Sequence, residues 1–292
     1  MAWIKKFVLC VALLGSGFGL SLPACSWAAD GQPTKIPLKL YNENLIVVKG
    51  SVGPIGGVNI LLDTGTSPTA ISKDLATQLH LHGGTEPLVS ANGEVDVDTV
   101  ILPRMEVGML HITSVKVVVQ DLSFMQRRLG ISIGAVAGLD LISTGSFMID
   151  YRRRTIVFSP TEAPREWVRF ETQKPYLTVK AHLGGRELRL LVDSATPGLL
   201  LFASRLGSLP ADLESIAKSQ DAPMFTATGT MRARWFHASQ VLLGTQSIGS
   251  QRVLVADANP DPGYEFDGLL GLAKTGFQKI WFDFENGLFG WT

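Results

Sequence analysis

The stretch Ile60-Leu61-Leu62-Asp63-Thr64-Gly65-Thr66-Ser67 carries the decision about the fold. Three aliphatic residues lead into an acid, a hydroxyl residue and a glycine. An apolar run ending on a carboxylate sets that charge at the tip of a core strand, where removal from water is costly. The chain then repeats the arrangement: Leu190-Leu191-Val192-Asp193-Ser194-Ala195-Thr196 follows 130 residues later (193 − 63 = 130). Two strand-tip acids in a tandem repeat predict two lobes that bring two carboxylates together.

Further from the acids the repeat continues in order. Ser90-Ala91-Asn92-Gly93 and Thr226-Ala227-Thr228-Gly229 are turn sequences between extended runs, which predicts one hairpin in each half. The apolar-Gly-Leu segment around Gly138 has its counterpart around Gly271, and Ile149-Asp150 has its counterpart in Phe282-Asp283. These late pairs agree in offset (271 − 138 = 133 and 283 − 150 = 133). A period of this length is too long for a solenoid and indicates domain duplication. Short Val/Ile/Leu runs separated by many Gly and Pro residues predict an all-β architecture. Strands are expected over residues 99–102, 105–107 and 112–119, and a short helix or helical turn over 70–79. The first lobe spans 35–159, the second 176–292. The polar stretch 160–175, with Pro160, Pro164 and Pro175, is the connection between them.

The 292 residues carry 26 basic and 26 acidic side chains, so net charge gives no case for nucleic acid or an anionic membrane surface as partner. A hydrophobic content of 46% with 18% charged residues indicates a filled core, not disorder. Residues 1–29 have the order of a secretory signal peptide. Lys5 and Lys6 precede an apolar segment, and Ser26-Trp27-Ala28-Ala29 follows it. Export to a bacterial periplasm or cell envelope is the resulting expectation, with secretion as the alternative. Leu22-Pro23-Ala24-Cys25 resembles a lipobox, so the membrane enters only through a lipid anchor at Cys25. Cys10 and Cys25 are the only cysteines, and cleavage of the leader leaves neither a disulfide framework nor a thiol nucleophile.

Taken together, apolar-apolar-Asp63-Thr64-Gly65-Thr66-Ser67, a glycine-tipped hairpin, then Gly138-Leu139-Asp140 and Ile149-Asp150-Tyr151-Arg152 resemble the retropepsin-like aspartic peptidases, once per half. The resemblance implies two tandem β-barrel lobes of the acid protease type, related by a pseudo-twofold axis with a peptide cleft between them. It also implies an aspartic endopeptidase acting on a peptide or protein substrate as a monomer, with no metal and no organic cofactor. Thr64 and Ser194 would then hydrogen-bond across the lobe interface. The hairpins at Ala91, Asn92 and Gly93, and at Ala227, Thr228 and Gly229, would be flaps over the substrate.

Two adjacent carboxylates cannot both ionise easily, so one of Asp63 and Asp193 keeps a proton while the other serves as general base on a water. Gly65 permits close backbone approach at the axis. Thr66 and Thr196, three residues after each acid, are placed to donate to the outer carboxylate oxygens. Ala195 stands where the family has glycine, and its methyl group falls at a crowded position. The rival expectation is therefore a peptide-binding protein of the same fold with little or no catalysis. A third reading pairs the first lobes of two chains and leaves the second lobe structural.

Other polar residues have plainer readings. Asp140, Asp150 and Asp283 are expected in turns or at sheet edges, and Gly138 and Gly271 where backbone packs closely. Arg152-Arg153-Arg154 is an exposed corner between strands. His80 and His82 are a solvated pair with no third ligand in the nearby sequence.

Overall fold

The computed structural model describes residues 9, 10, 13, 14, 33–90, 93–173, 176–210, 212–215, 222–226, 229–257 and 265–292. Cys25 and most of the predicted leader lie outside them. Strands make up 55% of the chain and helices 9%, which is the all-β, two-lobed architecture expected from the short aliphatic runs.

Each lobe is built by the same strand scheme. In the first, strand Ile55–Leu62 lies parallel to Ala135–Ala137, with Ile60 opposite Ala135 and Leu62 opposite Ala137. Ala135–Ala137 pairs antiparallel with Ala70–Ser72, which in turn lies parallel to Leu110–Gln120. In the second, Arg186–Asp193 lies parallel to Gly268–Gly271, which pairs antiparallel with Leu199–Phe202, itself parallel to Gln251–Ala256. The chain after each acid thus leaves its strand and returns one strand away, and the acid is held where the two strands part.

The buried faces explain why these segments are strands. Ile46, Val48, Ile60, Leu62, Ala135 and Ala137 face one core, and the alternate positions Val47, Leu61 and Val136 face a second apolar cluster. Period-two burial on both faces is what near-continuous aliphatic runs allow.

Six strands at one end of a 14-stranded sheet join the lobes. Their order is Glu166–Arg169, Leu288–Trp291, Lys279–Asp283, Phe147–Asp150, Thr155–Phe158, Lys35–Tyr41. At their centre Met148 is paired with Trp281, 133 residues later (281 − 148 = 133), while Phe147 faces Phe282 and Ile149 faces Ile280. A shift of 133 residues carries this pairing onto itself, so the pseudo-twofold axis passes between Met148 and Trp281. Phe147 and Phe282 meet there with ring centroids 5.2 Å apart.

Several local expectations need correction. Residues 70–79 split into strand Ala70–Ser72 and helix Lys73–Gln78, whose N-terminus is capped by Ser72 Oγ accepting from Leu75 N at 3.1 Å. The runs at 99–102 and 105–107 belong to one strand, Gly93–Val107. Pro103 lacks the N–H to continue its ladder, and the pairing with Leu110–Gln120 skips it, passing from Leu102↔Val115 to Arg104↔Thr113. The connection 160–175 contains two strands: Glu166–Arg169 joins the C-terminal strand, and Glu171–Gln173 pairs with Tyr176–Leu183.

Two hairpins project from the lobes, Gly83–Ser90 with Gly93–Val107 and Ala222–Thr226 with Gly229–Ala238. Ser90 is opposite Gly93, and Thr226 is opposite Gly229. Of the predicted tips, Ala91, Asn92, Ala227 and Thr228 lie outside the described residues. The four described residues near the N-terminus pair with these hairpins: Leu9–Cys10 parallel to Ala222–Thr226, and Leu13–Leu14 antiparallel to Gly83–Ser90.

Candidate active site

Asp63 and Asp193 meet at the lobe interface, both fully buried. Asp63 N donates to Ala137 O at 3.0 Å, which fixes the acid to the neighbouring strand. Its carboxylate accepts from Gly65 N (2.9 Å, on Oδ1) and Thr66 Oγ1 (2.9 Å, on Oδ2). Asp193 accepts from Ala195 N (2.8 Å) and Thr196 N (3.0 Å) on Oδ1, and from Thr196 Oγ1 (2.7 Å) on Oδ2. The threonines three residues after each acid therefore bond the carboxylate oxygen that the backbone N–H groups leave free.

The two loops interlock through four hydrogen bonds. Thr64 N donates to Ser194 Oγ (3.0 Å) and Ser194 N to Thr64 Oγ1 (2.9 Å). Each hydroxyl then donates to the strand of the opposite lobe, Thr64 Oγ1 to Val192 O (2.8 Å) and Ser194 Oγ to Leu62 O (2.9 Å). Each hydroxyl is thus donor and acceptor at once, and the arrangement is symmetric under exchange of lobes. Serine and threonine suit it equally because only the Oγ is used.

Gly65 packs directly on the opposite acid. A Cβ there would lie 2.7 Å from Asp193 Cγ and 2.9 Å from its Oδ2, closer than carbon and oxygen atoms pack. Ala195 is fully buried and joins the first lobe's second apolar cluster with Leu45, Val47, Leu61 and Val136. Gly138 and Gly271 pack as expected: a Cβ at Gly138 would stand 2.7 Å from Thr66 O, and one at Gly271 2.3 Å from Thr196 O.

The electrostatics of the pair are unequal. Burial pushes the Asp63 carboxyl well above the usual carboxylate range, and the neighbouring Asp193 charge raises it further, against the bonds from Thr66 and Gly65. Burial raises Asp193 as well, opposed by its bonds from Thr196 Oγ1, Ala195 N and Thr196 N. The two carboxyls act on each other, and a proton that the pair retains belongs to both acids.

Asp140 departs from its turn-acid reading. Its carboxylate accepts from Thr69 N (3.0 Å) and Thr69 Oγ1 (2.6 Å), and Thr69 Oγ1 in turn accepts from Gly138 N (3.0 Å). It therefore moors the far end of the first acid loop. The Gly138-Leu139-Asp140 motif was the available signal for this role. Asn44, whose Nδ2 donates to Ala195 O from the opposite lobe, had no signal in the sequence. Asp150 and Asp283 do hold turns, accepting from Arg153 N and Asn286 N. Arg152 to Arg154 form an exposed corner, and His80 and His82 are exposed.

Comparison with known proteins agrees with this geometry. Residues 48–140 match the family model described as "Aspartyl protease". Among solved structures, the crystal structure of an aspartic proteinase from Irpex lacteus superposes with a TM-score of 0.52. The match covers 89% of this chain and 97% of that one, at 14% sequence identity, a likeness of fold. No curated protein matches the sequence.

Proposed function

From a chain whose residues 48–140 match the aspartyl protease family model and whose two lobes share the aspartic proteinase fold, we propose an aspartic endopeptidase with Asp63 and Asp193 as its catalytic pair. The observation that carries this reading is the meeting of two buried strand-tip acids, each with its own donors, across a hydroxyl interlock within one chain. The charged member of the pair is the general base that takes a proton from a water. The neutral member donates a hydrogen bond to the scissile carbonyl. Water adds to the carbonyl carbon, the C–N bond breaks, and the proton passes to the leaving amine. The products are a new carboxyl and a new amine terminus. Gly65 lets the acids approach, and Thr66 and Thr196 fix their outer oxygens.

Hairpins 83–107 and 222–238 serve as flaps, with residues 91–93 and 227–229 at their tips. Backbone pairing of Leu9–Cys10 and Leu13–Leu14 with these two hairpins supports binding of an extended peptide by main-chain bonds, a mode tolerant of sequence. The donors retained by Ala195 favour catalysis over a binding-only role, and the interlock within one chain favours a monomer over paired first lobes.

A cleavage assay on a mixed peptide library from acid to neutral pH tests the reading, with Asp63→Asn and Asp193→Asn in parallel. Both variants should lose at least about a thousandfold in rate, the scale on which general acid–base groups act. Full activity in either one rejects the pair. We further propose that residues 1–29 direct export and are removed. N-terminal sequencing of the cellular protein that begins at Met1 would reject this.

A further inference from the structure

Strands Lys35–Tyr41 and Leu45–Val52 are joined by a three-residue turn in which Asn42 and Glu43 take φ of 50° and 69°. Asn44 N closes the turn on Tyr41 O at 3.2 Å. This tip belongs to the first lobe but reaches the second. Glu43 Oε2 meets Lys274 Nζ at 2.7 Å, and Asn44 Nδ2 donates to Ala195 O at 2.5 Å. Asn44 is only 1% exposed, and its Oδ1 has no hydrogen-bond partner among the described residues. Burying an amide with one end unpaired is costly, so the bond at its other end calls for a role.

That role follows from covalent geometry. The carbonyl of Ala195 and the N–H of Thr196 are the two ends of one peptide group, and Thr196 N donates to Asp193 Oδ1 at 3.0 Å. A hydrogen bond accepted by the carbonyl polarises the peptide and strengthens its N–H as a donor. It also stops the peptide plane from turning its N–H away from the carboxylate.

We propose that Asn44 is a positioning residue for the second acid: by holding the Ala195 carbonyl from the opposite lobe, it orients and polarises the peptide group whose N–H donates to Asp193. This rests on the catalytic reading of that pair. The ionisable groups around the relay are Asp63 across the interface and the Glu43–Lys274 ion pair beside the tip, and the test must separate the ion pair from the amide.

Asn44→Leu keeps the branched shape and removes the donor, whereas Glu43→Gln breaks the ion pair and keeps the amide. Two readouts are taken on each protein: the pH dependence of kcat and KM on a peptide cut by the wild type, and carboxyl NMR titration with isotope-labelled aspartate. In Asn44→Leu the first ionisation of the pair should move to higher pH. The acid limb of the kcat profile should move with it, with kcat about fivefold lower on that limb and KM unchanged, the scale of one hydrogen bond. Glu43→Gln should leave both readouts in place. An Asn44→Leu protein that melts earlier but titrates like wild type overturns the proposal, as does Glu43→Gln reproducing the shift. Asn44→Ser, too short to reach Ala195 O, substitutes if the leucine variant does not fold. If nothing is cleaved yet Asn44→Leu still shifts the carboxyl titration, the endopeptidase reading fails and the relay stands.

Discussion

The two acid loops start from one pattern and are secured by different means. In the first, Asp63-Thr64-Gly65-Thr66-Ser67-Pro68-Thr69, the carboxylate accepts from Gly65 N and Thr66 Oγ1, and the loop's far end is moored by Asp140 through Thr69. In the second, Asp193-Ser194-Ala195-Thr196-Pro197-Gly198-Leu199, the carboxylate accepts two backbone N–H groups and a hydroxyl. Leu199 stands where Thr69 does, and Ala273 where Asp140 does. The mooring there is made by main chain: Gly271 N to Gly198 O at 3.0 Å and Lys274 N to Pro197 O at 2.8 Å. Duplication kept what both acids need, the strand frame and the hydroxyls. It let the moorings diverge, through a carboxylate and a hydroxyl in the first lobe and through main chain in the second.

The sharpest way to break this comparison is at the glycine that only the first loop retains. Gly65→Ala places a methyl group 2.7 Å from Asp193 Cγ, and the atom it meets is the reacting carboxyl and not the end of a flexible side chain. The pair must separate. A displacement of about an ångström costs roughly a hundredfold in rate, so kcat on a cleaved peptide should fall by about that factor. Because the fault lies at the axis and not in either core, the melting temperature should change far less than the rate. A variant with near wild-type kcat would show that the loops have slack, and would remove the reason for assigning Gly65 its role.

The mooring gives the next effect, on stability. Asp140→Ala leaves Thr69 N without its acceptor in a part-buried site and should cost about 1–3 kcal/mol in denaturant unfolding. Asp140→Asn retains a side-chain oxygen and should recover part of this. The second lobe has no carboxylate to lose at the matching position, so Ala273→Ser should be nearly silent. Equal losses at 140 and 273 would mean that the two moorings do not differ as their bonds indicate.

The strand-tip acids and their supporting threonines were legible in the sequence because each is a short local pattern that occurs twice, whereas the hydroxyl interlock was implied by the family resemblance. Repetition also gave the late offset of 133, the same number that pairs Met148 with Trp281 on the axis. Features present once were harder to read. Asp140 was visible in its motif, but a carboxylate after an apolar-Gly-Leu run is chemically indistinguishable from a turn acid until Thr69 is folded against it. Asn44 lies 151 residues from the carbonyl it binds, and no spacing or periodicity links the two. The strands in 160–175 were hidden because their partners are the chain terminus and the following lobe, not their own neighbours. Local chemistry survives in sequence, whereas contacts made only once across the interface do not.

Ala195→Gly is the mildest test and bears most directly on the difference between the loops. It restores the glycine that the first loop has. If the methyl group held the acids out of place, its removal would raise kcat by a large factor. The structure predicts otherwise. The backbone donors on Asp193 come from Ala195 and Thr196, which glycine supplies equally, and Ala195 belongs to the apolar cluster of Leu45, Val47 and Leu61. Activity should therefore stay within about threefold of wild type, a rate change of well under 1 kcal/mol. The loss should appear in stability, about 0.5–1 kcal/mol from the added backbone freedom of glycine and the vacated contact. A large gain in kcat would instead mark Ala195 as a brake on the second acid, and the two loops would then differ in fitness for catalysis and not only in how they are held.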